Sequence, residues 1–111
     1  MATQHTYRVI VRGKWDGLTQ QSRTELLATM DDNDLARLRF TPEGTLAYDR
    51  ALHSFSYRFV IVSDAADGEE MAAALAEDKA EQALRGAGLG YRELRSTVTD
   101  MDAMKINRKS R

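Results

Sequence analysis

Phe55-Ser-Tyr-Arg-Phe-Val-Ile61 is the stretch whose reading decides the fold of this chain. Phe55, Tyr57, Phe59 and Ile61 share one side, and Ser56, Arg58 and Val60 share the other, which is the period of two of a strand with one buried face. A helix follows it. Asp67-Gly-Glu-Glu70 has the form of a capping box, with an oxygen at the N-cap and a carboxylate three residues on. Ala72, Ala73, Ala76, Ala80, Ala83 and Leu84 then gather on one side of a helical wheel, opposite Glu70, Glu77, Asp78, Glu81 and Arg85. Side chains this small let a helix sit close to a sheet. Gly86, Gly88 and Gly90 stop the helix, and residues 91–99 resume a strand with Leu94, Ser96 and Val98 in register.

Upstream of Phe55 the same two periods recur. Residues 6–15 place Tyr7, Val9, Val11 and Trp15 on one side and Arg8, Arg12 and Lys14 on the other. Asp16-Gly17 turns the chain, and Thr19 is placed to cap a helix over residues 20–31 that carries Leu26, Leu27 and Met30 inward. Residues 35–40 alternate Leu38 and Phe40 against Arg37 and Arg39. After the turn Thr41-Pro-Glu-Gly44, residues 45–49 alternate Leu46 and Tyr48 against Ala47 and Asp49, so the two segments read as a hairpin. The order is strand, helix, two or three strands, helix, strand. It predicts an α+β fold, a ferredoxin-like two-layer sandwich whose antiparallel sheet of four to five strands carries two helices on one face. Residues 1–99 form this single domain. Residues 100–111 form a basic C-terminal tail, with four cationic side chains among the seven from Lys105 to Arg111.

The chain has 111 residues, 42% hydrophobic and 30% charged, enough for one core and too few for two. Its lack of cysteine excludes a disulfide framework, thiolate metal sites and a cysteine nucleophile, and fits a reducing compartment. No apolar run approaches the roughly 18 residues of a membrane span, and the polar start has no hydrophobic signal core, so the expectation is a cytoplasmic protein without a membrane partner. Sixteen basic against 17 acidic side chains leave a net charge of −1, which argues against a nucleic-acid coat.

If the apolar rows face the helices, the other side of the sheet carries Arg8, Arg12, Arg37, Arg39, Arg58 and Arg95 from neighbouring strands. A guanidinium is a planar fork of donors suited to carboxylate and phosphate, so this face is the candidate site for an anionic small molecule or an acidic protein surface. In the structural alternative, the arginines cover the sheet with their stems and pair across strands, with Asp49 and Glu93 as the acidic partners.

An uncovered sheet face and a hairpin edge also predict a homodimer. The function so implied is that of a small binding or accessory protein. Two alternatives stay open. One is a small-molecule enzyme of the dimeric α/β-barrel type acting on an apolar or aromatic metabolite, with His53, Asp49 and Tyr48 as acid–base candidates beside Arg58. The other is weak RNA binding through the arginine face and the tail. Neither His5 nor His53 has a second ligand at helical spacing, so no metal site and no cofactor are expected.

The stretches Arg12-Gly-Lys-Trp-Asp-Gly-Leu18, Phe40-Thr-Pro-Glu-Gly-Thr-Leu-Ala-Tyr-Asp49, Phe55-Ser-Tyr-Arg58 and Gly90-Tyr-Arg-Glu-Leu-Arg-Ser96 together make the chain resemble a family of small, single-domain actinobacterial proteins without assigned activity. The resemblance implies one domain of about this length. It carries over no catalytic residue.

Overall fold

The computed structural model of the chain describes residues 3–30 and 39–102. Its elements are β1 (Gln4–Trp15), α1 (Gln20–Met30), β2 (Thr45–Tyr48), β3 (Ser54–Asp64), a single 3₁₀ turn (Ala65–Asp67), α2 (Gly68–Gly86) and β4 (Tyr91–Asp100). The four strands make one antiparallel sheet in the order β2-β3-β1-β4. The architecture is therefore α+β, a four-stranded antiparallel sheet with two helices.

The alternating rows do what their period requires. Tyr7, Val9, Val11 and Trp15 from β1 are buried together with Phe55, Phe59 and Ile61 from β3. Two clusters form along this side of the sheet. In the first, Ala72, Ala76 and Ala80 of α2 lie directly on Tyr7, Val9, Val11, Phe59 and Ile61, all three alanines with no exposed surface. In the second, Leu26 of α1 and Leu84 of α2 close over Trp15, Leu52 and Phe55. The Trp15 ring packs on Phe55 at 4.5 Å between centroids and meets the Tyr48 ring edge-on at 6.0 Å.

Local chemistry sets the ends of the helices. Thr19 caps α1, its Oγ1 accepting the Ser22 amide at 3.0 Å. Among the described side chains of α1, Leu26 is buried and Leu27, expected inward, is 37% exposed; the Met30 side chain lies outside the described residues. The capping box at Asp67–Glu70 does not form, because Asp67 makes no side-chain cap. The 3₁₀ turn takes up that position, and Asp64 caps the turn by accepting the Ala66 amide at 3.0 Å. At the far end, the Leu89 amide returns to the Leu84 carbonyl at 2.9 Å and Gly88 adopts φ 71°, a Schellman-type exit. Gly90 then passes so close to the first turn that a Cβ there would sit 1.9 Å from the Asp16 carbonyl oxygen.

Two points bear on the expected boundaries. Arg39 and Phe40, the described part of the expected strand at 35–40, lie in no strand, and the hairpin is instead β2 with β3. Thr41 meets the sheet through an isolated bridge to Phe59, and the Phe40 ring packs against Arg8 of β1. The second concerns the chain after residue 99. β4 continues to Asp100, and Asp102 accepts the Thr6 amide at 2.7 Å, so these residues belong to the fold. The rest of the expected tail lies outside the described residues, as does Arg37.

Candidate functional site

The side of the sheet away from the helices has no layer over it among the described residues. Register fixes what it presents. Arg12 of β1 stands across from Ser56 of β3 on one side and Arg95 of β4 on the other, while Ile10 stands between Arg58 and Thr97. Residues directly opposite in an antiparallel ladder point the same way, so Arg12, Arg58 and Arg95 share this face.

The Arg58 guanidinium bends along its own strand, and its Nη1 donates to Ser56 Oγ at 2.9 Å. Arg12 Nη1 donates to Thr97 Oγ1 at 3.3 Å. Both arginines line an open concavity of about 340 Å³, with Ala47, Tyr48, Asp49, Ser54, Phe55 and Ser56. A second hollow of about 230 Å³ continues from Arg12 across Gly13, Lys14, Ser54 and Glu93 to Arg95. The two share Arg12 and Ser54, which makes one trough across β2, β3, β1 and β4.

The two acids expected to neutralise this face lie on it, but neither pairs with Arg12, Arg58 or Arg95. Glu93 Oε2 lies 3.7 Å from Lys14 Nζ and 3.8 Å from Arg92 Nη1. Asp49 Oδ1 accepts the His53 amide at 3.1 Å. Among the described residues, no carboxylate comes within 4.0 Å of the guanidinium of Arg8, Arg12, Arg58 or Arg95.

A bulge in β4 produces this arrangement. Arg12 pairs with Arg95 but Lys14 pairs with Arg92, so β4 carries one extra residue there, and Glu93 takes φ 57° to accommodate it. As a result, both Arg92 and Arg95 reach the uncovered face, while Tyr91 and Leu94 turn inward. Sequence reading by strict alternation missed the bulge. Its trace is the spacing of Tyr91 and Leu94, three apart where a regular strand requires an even number.

The remaining candidates separate. Arg8 lies apart from the trough, its Cζ 5.1 Å above the centre of the Phe40 ring and beside Ile10, Thr97, Thr99 and Met101. Arg39 is exposed. The Tyr48 hydroxyl donates to the Leu26 carbonyl, tying β2 to α1. His53 is exposed and its ring is not part of the concavity, although its backbone carbonyl accepts the Trp15 amide at 3.0 Å. Of the three acid–base candidates, Asp49 and Tyr48 therefore border the trough and His53 stands outside it. Phe55 and Phe59 are buried under the helices and offer no stacking surface to a base.

One cluster is a product of tertiary convergence alone. His5 Nδ1 and Asp100 Oδ2 are 2.9 Å apart, and the Asp102 amide donates to Asp100 Oδ1 at 3.0 Å. Hydrogen bonding to Asp100 raises the His5 pKa above its ordinary value, against the opposing pull of burial. His5, Asp100 and Asp102 offer ligand atoms all within 4.8 Å of one another. Within the protein, these side chains act as a strap: His5 Nδ1 holds Asp100 and the Thr6 amide holds Asp102.

Fold and face together define a small α+β sheet protein with helices on one side and an arginine-lined trough on the other. The chain belongs to a family of unknown function (DUF6204), whose model matches residues 1–111. No curated protein and no solved structure matches it. No helix of the described residues is long and apolar enough to cross a membrane.

Proposed function

We propose that this protein is a small binding module that takes an anionic ligand in the trough formed by Arg12, Arg58 and Arg95. One observation carries the reading: Arg12 and Arg95 are direct cross-strand neighbours without a carboxylate partner among the described residues. Like charges directly opposite are destabilising in a sheet, and a bound anion converts that repulsion into two charge-assisted contacts. Ser54 and Ser56 add hydroxyl groups to the same lining.

The test is thermal unfolding with inorganic phosphate and with small carboxylates. Wild type should gain melting temperature in a saturable way, and Arg12→Ala and Arg58→Ala should each lose that gain while remaining folded. Absence of a gain, or an equal gain in both variants, removes the reading.

Strand order β2-β3-β1-β4 with helices after β1 and β3 supports assigning the fold to the ferredoxin-like sandwiches. The outer edge of β4, ten residues long and unpaired among the described residues, favours a second reading, self-association into a homodimer. Light scattering at micromolar concentration tests it, and a mass of one chain rejects it.

A further inference from the structure

We infer that the ligand of the trough is a compact zwitterion, an amino-acid-like or short peptide-like molecule with an acidic group at one end and an ammonium group at the other. This rests on the reading of Arg12 and Arg58 as an anion site and adds the second charge. The observation behind it is Asp49. It lines the same 340 Å³ concavity as the two arginines, yet no cation of the described residues lies within 4.0 Å of its carboxylate.

Backbone register explains why they stay apart. Ala47 stands opposite Ser56 and Ser56 opposite Arg12, so Asp49, just beyond the end of β2, is two strands away from Arg12 and one step further along. Arg58 is held back by Ser56 Oγ. Asp49 is held in turn by the His53 amide, which donates to Oδ1. The side chains of opposite charge thus line one hollow without pairing, together with Ser54, Ser56 and Ala47. A purely anionic ligand would meet repulsion from Asp49. A ligand with an ammonium group beside it satisfies both.

Glycine, diglycine and triglycine, each with its N-acetyl counterpart, provide a direct probe by isothermal titration calorimetry. At least one free member of the series should bind about fivefold more tightly than its N-acetyl form, the scale of a solvent-exposed ion pair. Asp49→Asn should erase that ratio and leave the N-acetyl affinity unchanged or improved. Equal affinity of free and acetylated forms overturns the inference. So does failure of the whole series to bind a protein that still binds phosphate, and in both cases the anion site survives. Failure of phosphate and peptides alike overturns the inference together with the anion reading.

Discussion

Arg12 and Arg95 face each other across the β1–β4 ladder on the uncovered side of the sheet, and Glu93, the nearest acid in sequence, is turned to Lys14 and Arg92 instead. Two cations held in register on exposed strands repel, and the repulsion is relieved by salt or by removal of either charge. Arg95→Gln should therefore be neutral or stabilising by up to about 1 kcal/mol at low ionic strength, with the difference shrinking as salt is added. Chemical denaturation of both proteins at two ionic strengths checks this. A clear loss of stability in the variant at low salt would mean that Arg95 is paired in solution.

The alanine stripe makes a second, independent prediction. Ala76 and Ala80 have no exposed surface and lie on β1 and β3. Ala76→Leu should lose about 1–3 kcal/mol through overpacking. An unchanged denaturation midpoint would place that face of α2 in water.

Gly90 and Gly86 should respond to alanine in opposite directions. At Gly90 the new Cβ would meet the Asp16 carbonyl oxygen, a backbone atom that cannot rotate away, whereas nothing lies within 4 Å at Gly86. Gly90→Ala should cost about 1–3 kcal/mol, as overpacking does in a tight site. Gly86→Ala, at the last residue of α2, should be neutral or stabilising by about 0.5–1 kcal/mol through reduced freedom of the unfolded chain. Midpoints of urea unfolding for the two variants decide it.

The strap at His5 gives stability a pH dependence with a definite sign. Because Asp100 raises the folded pKa of His5 above 6.5, the contribution is complete below 6.5 and is lost as pH rises through the folded pKa. Asp100→Asn should lower the titration midpoint of the His5 ring followed by NMR, and should flatten the loss of melting temperature over that same interval. An unmoved midpoint in the variant would show that the two side chains do not interact in solution.

The parts of the fold legible in the sequence are those governed by a single period. Tyr7, Val9 and Val11, then Phe55, Phe59 and Ile61, and Ala72, Ala76, Ala80 and Leu84 are buried where alternation or helical spacing puts them, whereas Tyr57 and Ala73 are half-buried and Ala83 is exposed. Reading failed where a local device or a distant partner intervened. Asp67 carries the pattern of a cap, but the 3₁₀ turn ahead of it gives that role to Asp64. Tyr48 has the chemistry of a proton donor, and the carbonyl of Leu26 holds its hydroxyl. His5 and Asp100 are 95 positions apart and meet only because β1 and β4 are neighbours in the sheet. For the trough, Arg12, Arg58 and Arg95 were readable as members of one face. That Glu93 would turn to Lys14 and Arg92 was not, since it depends on its left-handed backbone at the bulge.

That residue divides β4 into two phases. Positions 95–100 follow one odd–even rule for inside and outside, and positions 91 and 92 follow the opposite one. Substitution leaves both phases in place. Deleting Glu93 would remove the extra residue and leave Arg92 opposite Lys14 and Tyr91 opposite Trp15, so both keep their sides and the Tyr91 hydroxyl keeps its hydrogen bond to Glu81. At the bulge the strand thus tolerates a shorter chain as well as a changed letter. The few residues before the bulge work as a separately keyed clasp over the tryptophan end of the core.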